Sequence, residues 1–221
     1  MICIKFGLLG AGGFAREVMP FVKGSVAKKL LVPENNIDAY FVETWQPKER
    51  TVNGYSVLSL DEFIQLDGNK YFNVAVGSGE DREAMVTKVG SNAEPLTLFA
   101  PQATIFDCNI IASGSVFCPN TMVTSNARIG KFFQCNIYAY VAHDCVIGDF
   151  VTFAPGVHCN GRVHIDDYAY IGTSAIIREG TSEKPLRIGK GAVVGMGAVV
   201  TKDVPAGATV IGNPARLMEK R

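Results

Sequence analysis

The second half of the chain carries an apolar residue at every sixth position, separated by mostly polar or small residues. The series runs from Ile105 to Ile177 and, after a shift of five residues, resumes at Ile188. It comprises Ile105, Ile111, Phe117, Val123, Ile129, Cys135, Val141, Ile147, Phe153, Cys159, Ile165, Ile171, Ile177, Ile188, Val194 and Val200. Residues six apart would scatter over the faces of an α-helix but share one face of a β-strand. One strand of this length is unrealistic, so the pattern predicts a chain that turns about once every six residues and closes a three-sided coil.

Two finer patterns support such a coil. The residue four positions after each apolar residue is usually small or β-branched, as suits a narrow interior: Ser115, Thr121, Ala127, Ala139, Val151, Val157, Val163, Ala169, Ala175, Ala192 and Ala198. The residue directly after it is often glycine, which tolerates a corner: Gly130, Gly148, Gly172, Gly189 and Gly195. Phe133 breaks the first pattern and requires local space. Together these patterns predict an all-β left-handed parallel β-helix, an exception to the right-handed crossover rule.

The first part of the chain has a different pattern, in which apolar runs alternate with helical segments. Predicted strands are Ile2–Leu9, Ile37–Val42, Tyr71–Val76 and Leu96–Phe99. Predicted helices begin at Phe14 and cover Leu60–Leu66 and Asp81–Val89. This alternation predicts a small α/β domain with a Rossmann-like parallel sheet. We therefore expect an α/β domain over residues 1–98 and a β-helix over residues 99–221, without a long linker.

Composition argues against several classes of partner. Lys plus Arg and Asp plus Glu number 21 each, so nothing favours nucleic acid or an anionic membrane surface. No apolar run is long enough for a transmembrane helix, and the N-terminal run stops at Gly10 without a cleavage pattern, so we expect neither membrane insertion nor a signal peptide. The six cysteines lack CxxC spacing, which predicts reduced thiols in a cytoplasmic protein.

A glycine turn, Gly10–Gly13, follows the first predicted strand and precedes a helix. Such a turn can bring backbone N–H groups close to phosphates, or it can merely permit a tight connection. The last glycine of the dinucleotide fingerprint is replaced by Ala15, and Asp38 and Glu43 only flank the position of its acidic residue. Because a solenoid replaces the second half of a dinucleotide fold, one nucleotide diphosphate suits this turn better than a redox dinucleotide.

Three histidines, His143, His158 and His164, are candidates for proton transfer. Counted along the repeats, His143 and His164 fall near opposite edges of one face and His158 falls on another, which argues against a three-histidine metal site within one chain. A metal site shared between subunits, as in γ-type carbonic anhydrases, stays open. Asp144 can fix the tautomer of His143 and leave its other nitrogen to accept a proton, or the two can form an inert corner. We interpret His158 and His164 as structural residues.

Three segments carry a resemblance to a known family: residues 142–148 (AHDCVIG), 194–205 (VGMGAVVTKDVP) and 212–216 (GNPAR). They are similar to the hexapeptide acyltransferases with an N-terminal nucleotide-sugar-binding domain, and the likeness covers nearly the whole chain. Members acetylate sugar-nucleotide amines in bacterial glycan pathways, and close relatives O-acetylate sialic acid. The resemblance implies acetyl-CoA as co-substrate, no metal, and a homotrimer with active sites where neighbouring coils meet.

The resemblance also implies roles for individual residues. His143 corresponds to the general base beside the acidic Asp144, Asn136 to a residue lining the same pocket, and Gly161 to a donor facing the thioester carbonyl. The residues it places along the coenzyme are Gly161, Thr173, Met196, Gly197, Lys202 and Arg216. Those it places at the sugar nucleotide are Gly10, Gly12, Gly13, Phe14 and Glu43.

The chain departs from the family at two of these positions, since Phe14 replaces a common histidine and Val42-Glu43 replaces paired aspartates. The favoured function is transfer of an acetyl group from acetyl-CoA to the amine of a nucleotide-linked amino sugar, a 4-amino-dideoxy sugar by resemblance, in surface-glycan biosynthesis. The alternatives are O-acetylation of a sialic acid or similar sugar, and a metal-dependent or non-catalytic solenoid. The five extra residues within 179–187 form either a neutral surface loop or the wall of a binding cleft.

Overall fold

The computed structural model describes residues 3–218. It divides into two compact units, one ending at Pro101 and one beginning at Gln102. Within the described residues, no helix is both long and apolar enough to cross a membrane.

The first unit is an α/β sheet with three α-helices. Its strands are β1 (Ile4–Leu9), β2 (Ile37–Glu43), β3 (Thr51–Val52), β4 (Tyr55–Ser59), β5 (Asn69–Val74), β6 (Glu94–Pro95) and β7 (Leu98–Phe99). Its helices are α1 (Gly13–Leu30), α2 (Leu60–Ile64) and α3 (Gly79–Val89), with 3₁₀ turns at Glu34–Asn36 and Gly90–Asn92. The sheet order is β3-β4-β2-β1-β5-β6, parallel except for the β3–β4 pair. β7 is not a strand of this sheet, so the predicted Leu96–Phe99 strand does not extend it.

The predicted parallel sheet is confirmed, but the β3–β4 hairpin was not predicted from the sequence. Asn53 and Gly54 form its turn with φ values of 47° and 82°, the left-handed conformation that an Asn-Gly pair adopts readily. Strand boundaries also differ. The strand predicted at Tyr71–Val76 begins and ends two residues earlier, as β5, because Asn69 and Lys70 already pair with β1 despite their polarity. The predicted Ile2–Leu9 strand begins at Ile4, and Ile2 lies outside the described residues.

The second unit is a left-handed β-helix built from short strands. Its strands are β8 (Thr104–Ile105), β9 (Ile110–Ile111), β10 (Val116–Phe117), β11 (Met122–Val123), β12 (Arg128–Ile129), β13 (Gln134–Cys135), β14 (Tyr140–Val141), β15 (Val146–Ile147), β16 (Thr152–Phe153), β17 (His158–Cys159), β18 (Val163–Ile165), β19 (Tyr170–Ile171), β20 (Ile176–Ile177), β21 (Leu186–Ile188), β22 (Val193–Val194), β23 (Val199–Val200), β24 (Thr209–Ile211) and β25 (Arg216–Leu217). Strands three apart in the chain, which lie on the same side of successive coils, pair in parallel. Among the described strands of this unit, β25 pairs antiparallel, with β24.

Three parallel sheets form the sides of the coil. Sheet 1 contains β8, β11, β14, β17, β20 and β23; sheet 2 contains β9, β12, β15, β18 and β21; within this unit sheet 3 contains β10, β13, β16, β19, β22, β24 and β25. The apolar series stacks in register inside the coil, for example Val141 on Cys159 and Cys159 on Ile177. The three-sided coil predicted from the period of six is therefore confirmed.

Phe133 fits into the narrow interior because a neighbouring position is small. Its side chain is fully buried and makes edge-to-face contacts with Phe117 and Phe153, at ring-centroid distances of 5.8 and 5.0 Å. In sheet 3 the residue stacked between those two phenylalanines is Cys135, two positions after Phe133. The large and small residues have thus exchanged places within one coil, which keeps the packed volume roughly constant.

Candidate functional site

In each coil the chain turns a corner where sheet 1 passes into sheet 2, and His143 and Asp144 lie at this corner, after β14. We call residues 143–144, 161–162 and 179–180, from three successive coils, the histidine corner. Backbone hydrogen bonds stack these coils, because Arg162 N–H donates to His143 O at 2.9 Å and Gly180 N–H donates to Gly161 O at 3.0 Å. Asp144 adopts a φ of 59°, so its carboxylate turns back towards the preceding imidazole.

The imidazole of His143 is oriented by Asp144. His143 Nδ1 lies 2.8 Å from Asp144 Oδ2, and since a carboxylate accepts, the proton sits on Nδ1. This leaves Nε2 as the basic nitrogen, and the side chain is 43% exposed in the single chain. The hydrogen bond from His143 also lowers the pKa of the Asp144 carboxyl, so this carboxylate stays ionised and holds the tautomer.

Gly161 lies directly against the imidazole, one coil after His143. A Cβ at this position would lie 2.5 Å from His143 Cε1 and 2.6 Å from Nε2. Any larger residue would displace the ring, so glycine at 161 is required by the position of the imidazole.

Two charged residues at the same corner were not predicted from the sequence. Arg162 NH1 donates to Glu179 Oε1 at 2.9 Å, and Arg162 NH2 lies 3.6 Å from Asp144 Oδ2. Glu179 Oε1 in turn lies 3.7 Å from His143 Nε2. A count by whole coils would have found both residues, because positions 144 and 162, like 143, 161 and 179, occupy equivalent places in successive coils.

Several predicted residues lie at a different corner, where sheet 3 passes into sheet 1. Asn136 follows β13 there, and its Oδ1 accepts the N–H of Ile137 at 2.8 Å. In later coils of the same corner, Gly197 N–H donates to Thr173 O at 2.8 Å, and Met196 is 81% exposed. The width of sheet 1 separates this corner from the histidine corner, so one chain does not bring Asn136 and His143 together.

Lys202 and Arg216 lie farther along the solenoid. Lys202 lines a cleft of about 420 Å³ with Arg178 and Lys184, a cationic lining suited to phosphate groups. Arg216 lies on the exposed strand β25, where its NH1 donates to Ala215 O at 3.0 Å.

The glycine turn of the α/β unit connects β1 to α1. Gly10 has a φ of 96° and donates its N–H to Val42 O at 2.8 Å, so it needs glycine for its conformation. Gly12 precedes the helix and Gly13 begins it, and a Cβ at either position would meet nothing within 4 Å. Phe14 follows on the first turn of α1, half-buried.

Glu43 ends β2 beside this turn, while Asp38 lies near the other end of the strand and pairs with Lys5 at 2.6 Å. A cleft of about 320 Å³ is lined by Glu43, the glycine turn and Trp45, among others. Burial raises the pKa of the Glu43 carboxyl, and a hydrogen bond from the Ala11 backbone partly opposes this shift. Trp45 was not predicted as a site residue, because a single tryptophan in a loop gives no sequence pattern.

The other two histidines lie on the sides of the coil. His158 stacks on Tyr140 in sheet 1 with ring centroids 5.1 Å apart, and burial lowers the pKa of His164 in sheet 2. Within residues 3–218, no group of three or more His, Cys, Asp or Glu side chains is arranged to hold a metal ion.

Comparison with known proteins gives relatives that match along nearly the whole chain, although no protein-family profile matches. The chain is 43% identical to GDP-perosamine N-acetyltransferase of Escherichia coli O157:H7, covering 97% of this chain and 96% of that protein. The structure of WeeI from Acinetobacter baumannii AYE is 48% identical, with a TM-score of 0.89 over 97% of this chain and all of that one. The acetyltransferase domain of PglB from Neisseria gonorrhoeae FA1090, in complex with acetyl coenzyme A, is 28% identical, with a TM-score of 0.82 over 97% and 98% of the two chains.

Proposed function

The chain belongs to the hexapeptide-repeat sugar acetyltransferases, and on that premise we propose that it moves the acetyl group of acetyl-CoA to the amine of a nucleotide-linked amino sugar. The observation that carries this proposal is the 43% identical relative, which is named for N-acetylation of GDP-perosamine and aligns over nearly the full length. The oriented imidazole of His143 supplies the base that such a transfer needs.

In the proposed reaction, His143 Nε2 accepts a proton from the attacking amine, and Asp144 stabilises the imidazolium that forms. The amine nitrogen bonds to the thioester carbon, and the carbonyl oxygen becomes an oxyanion. The backbone N–H of Gly161 is the proposed oxyanion donor, and removing one such donor typically costs roughly 3–4 kcal/mol of transition-state stabilisation. Collapse of the oxyanion breaks the C–S bond, and the imidazolium of His143 gives its proton to the departing coenzyme-A sulfur. No acyl-enzyme is needed, because the thioester is already activated.

We assign the coenzyme to the groove between neighbouring coils, beside Thr173, Met196 and Gly197 of one copy and Lys202 of the next, with Arg216 near its nucleotide end. The cationic cleft at Lys202 supports the phosphate part of this assignment. Asn136 lines the same pocket in the proposed site.

The separation of Asn136 from His143 supports an assembly of several copies, which we propose is a homotrimer. A site that uses both residues takes them from two neighbouring copies, since one chain holds them at opposite edges of sheet 1. We propose the cytoplasm as its compartment, which agrees with buried thiols such as Cys135 and Cys159.

The glycine turn is the proposed nucleotide site. Open space at Gly12 and Gly13 lets a diphosphate approach the backbone N–H groups at the start of α1. Glu43 is the proposed acceptor of N–H donors from the base, and Phe14 borders the same site.

A coenzyme-A release assay tests the proposal. The acceptors are GDP-perosamine, uridine and thymidine diphosphate amino sugars, and a sialic acid. We expect release of coenzyme A with a nucleotide amino sugar only. Release with sialic acid alone would replace the proposal with O-acetylation, and release with none of these acceptors would refute it.

A further inference from the structure

The segment 179–187 is fixed to the histidine corner at both ends. Gly180 N–H donates to Gly161 O at 3.0 Å, and Leu186 N–H donates to Arg162 O at 3.2 Å. Between them, Thr181 and Lys184 close a tight turn, with hydrogen bonds of 3.0 Å from each N–H. The extra residues therefore form a fixed wall beside His143.

Glu179 begins this wall two coils after His143, with Gly161 in the coil between them. Because Gly161 has no side chain, the imidazole and the Glu179 carboxylate can approach across the intervening coil. Arg162 fixes the direction of that carboxylate through its 2.9 Å bond to Oε1, and a carboxylate oxygen can accept a second hydrogen bond.

The two acceptor atoms are close without bonding to each other. His143 Nε2 and Glu179 Oε1 lie 3.7 Å apart, and with its proton on Nδ1 the imidazole has no hydrogen to donate from Nε2. A nitrogen placed about 2.9 Å from both atoms would satisfy the usual geometry of two hydrogen bonds.

We propose that Glu179 is a second residue that binds the substrate amine. Its carboxylate accepts a hydrogen bond from one N–H of the amine, while His143 Nε2 accepts a hydrogen bond from another. An amine carries enough protons for both acceptors, whereas a hydroxyl carries one and leaves the carboxylate without a donor. A site built for two donors discriminates strongly against the analogue that lacks one. Glu179 thus selects amine over hydroxyl, an inference that rests on the proposed function.

The charges at the corner favour the same acceptor. Asp144 and Glu179 are acidic, Arg162 is basic and the imidazole is neutral in this tautomer, so the cluster carries net negative charge. It therefore attracts the ammonium form in which the amine arrives.

The proton balance closes without a further reactant. The ammonium releases one proton to solvent on becoming nucleophilic. A second proton passes to His143 Nε2 as the N–C bond forms, and then to sulfur as the C–S bond breaks. Glu179 remains a carboxylate throughout, so its effect falls on acceptor binding.

The test compares Glu179→Gln with Glu183→Gln, a matched control on the same wall whose carboxylate pairs with Ser182 at 2.7 Å. KM is measured for the amino-sugar nucleotide and for acetyl-CoA, and Ki for the analogue that carries a hydroxyl in place of the amine. In Glu179→Gln we expect KM of the amine to rise about tenfold or more, with the Ki of the hydroxyl analogue and the KM of acetyl-CoA changed less than about twofold. Glu183→Gln should match the wild type.

An unchanged KM for the amine in folded Glu179→Gln, or an equal loss for amine and hydroxyl analogue, would overturn the assignment. These outcomes are separate from failure of the proposed function. If the wild type acetylates no amine, the function itself is wrong. If the wild type is active and Glu179→Gln keeps its ratio of amine to hydroxyl binding, only the role of Glu179 is wrong.

Discussion

The histidine corner and the glycine turn both depend on glycine, but for opposite physical reasons. At the corner, the space that a Cβ of Gly161 would need is filled by the His143 imidazole. At the turn, the space around Gly12 and Gly13 is empty. The first site is filled by the protein's own reactive group and the second is open to a ligand. We therefore expect substitutions that remove or displace the His143 imidazole to lower kcat, and substitutions at the turn to raise KM.

The largest expected effect is on His143. His143→Ala should lower kcat by about two orders of magnitude or more, because it removes the general base. Steady-state coenzyme-A release measures kcat, and sedimentation reports whether the assembly matches the wild type. Turnover close to that of the wild type would show that His143 is not the general base and that the histidine corner is not the catalytic region.

An intermediate effect is expected at Gly161. Gly161→Ala places a methyl group 2.5 Å from the ring position of His143, so the imidazole must move. We expect kcat to fall about tenfold or more, since small misplacement of a catalytic group is costly.

Gly77→Ala is the matched control, because a Cβ there meets nothing within 4 Å and the backbone needs no left-handed conformation. The measurement is kcat for both variants beside thermal unfolding. Equal kcat in the two would mean that the crowding at Gly161 has no catalytic consequence.

The smallest expected effect is at the glycine turn. Glu43→Gln should raise KM for the sugar nucleotide about tenfold with little change in kcat, since a charged hydrogen-bond acceptor for the base is lost. Burial raises the pKa of Glu43, so its carboxylate is less stable in the folded protein than in the unfolded chain. Removing that charge should therefore leave Tm unchanged or raise it.

The same pKa shift predicts a pH dependence of the wild type. As pH falls through the raised pKa, Glu43 takes up a proton, and KM should rise at a higher pH than for an exposed glutamate. The KM of Glu43→Gln should lack this component. A fall in kcat instead of a rise in KM would contradict the division between the two regions.

Much of the fold could be predicted because its patterns are local. The period of six specifies strand and corner, and the strand–helix alternation specifies the parallel sheet. The β3–β4 hairpin was missed although Asn53-Gly54 is a strong turn signal, because its first strand is only two residues long. His143 and Asp144 are neighbours in sequence, so their pairing was predictable. Trp45 belongs to no local pattern, and Arg162 is found only by counting one whole coil on from Asp144.

The three-sided coil follows from the amino-acid sequence alone, because each repeat can bury its apolar residue only against the repeats beside it. The sequence also predicts that Asp144 can orient the imidazole, because it follows His143 directly. The position of Glu179 opposite His143 Nε2, and of Asn136 across sheet 1 from His143, depends on how the coils pack. Stacked coils bring residues two turns apart within one side-chain length, and which atoms then meet depends on side-chain directions and on the absence of a side chain at Gly161.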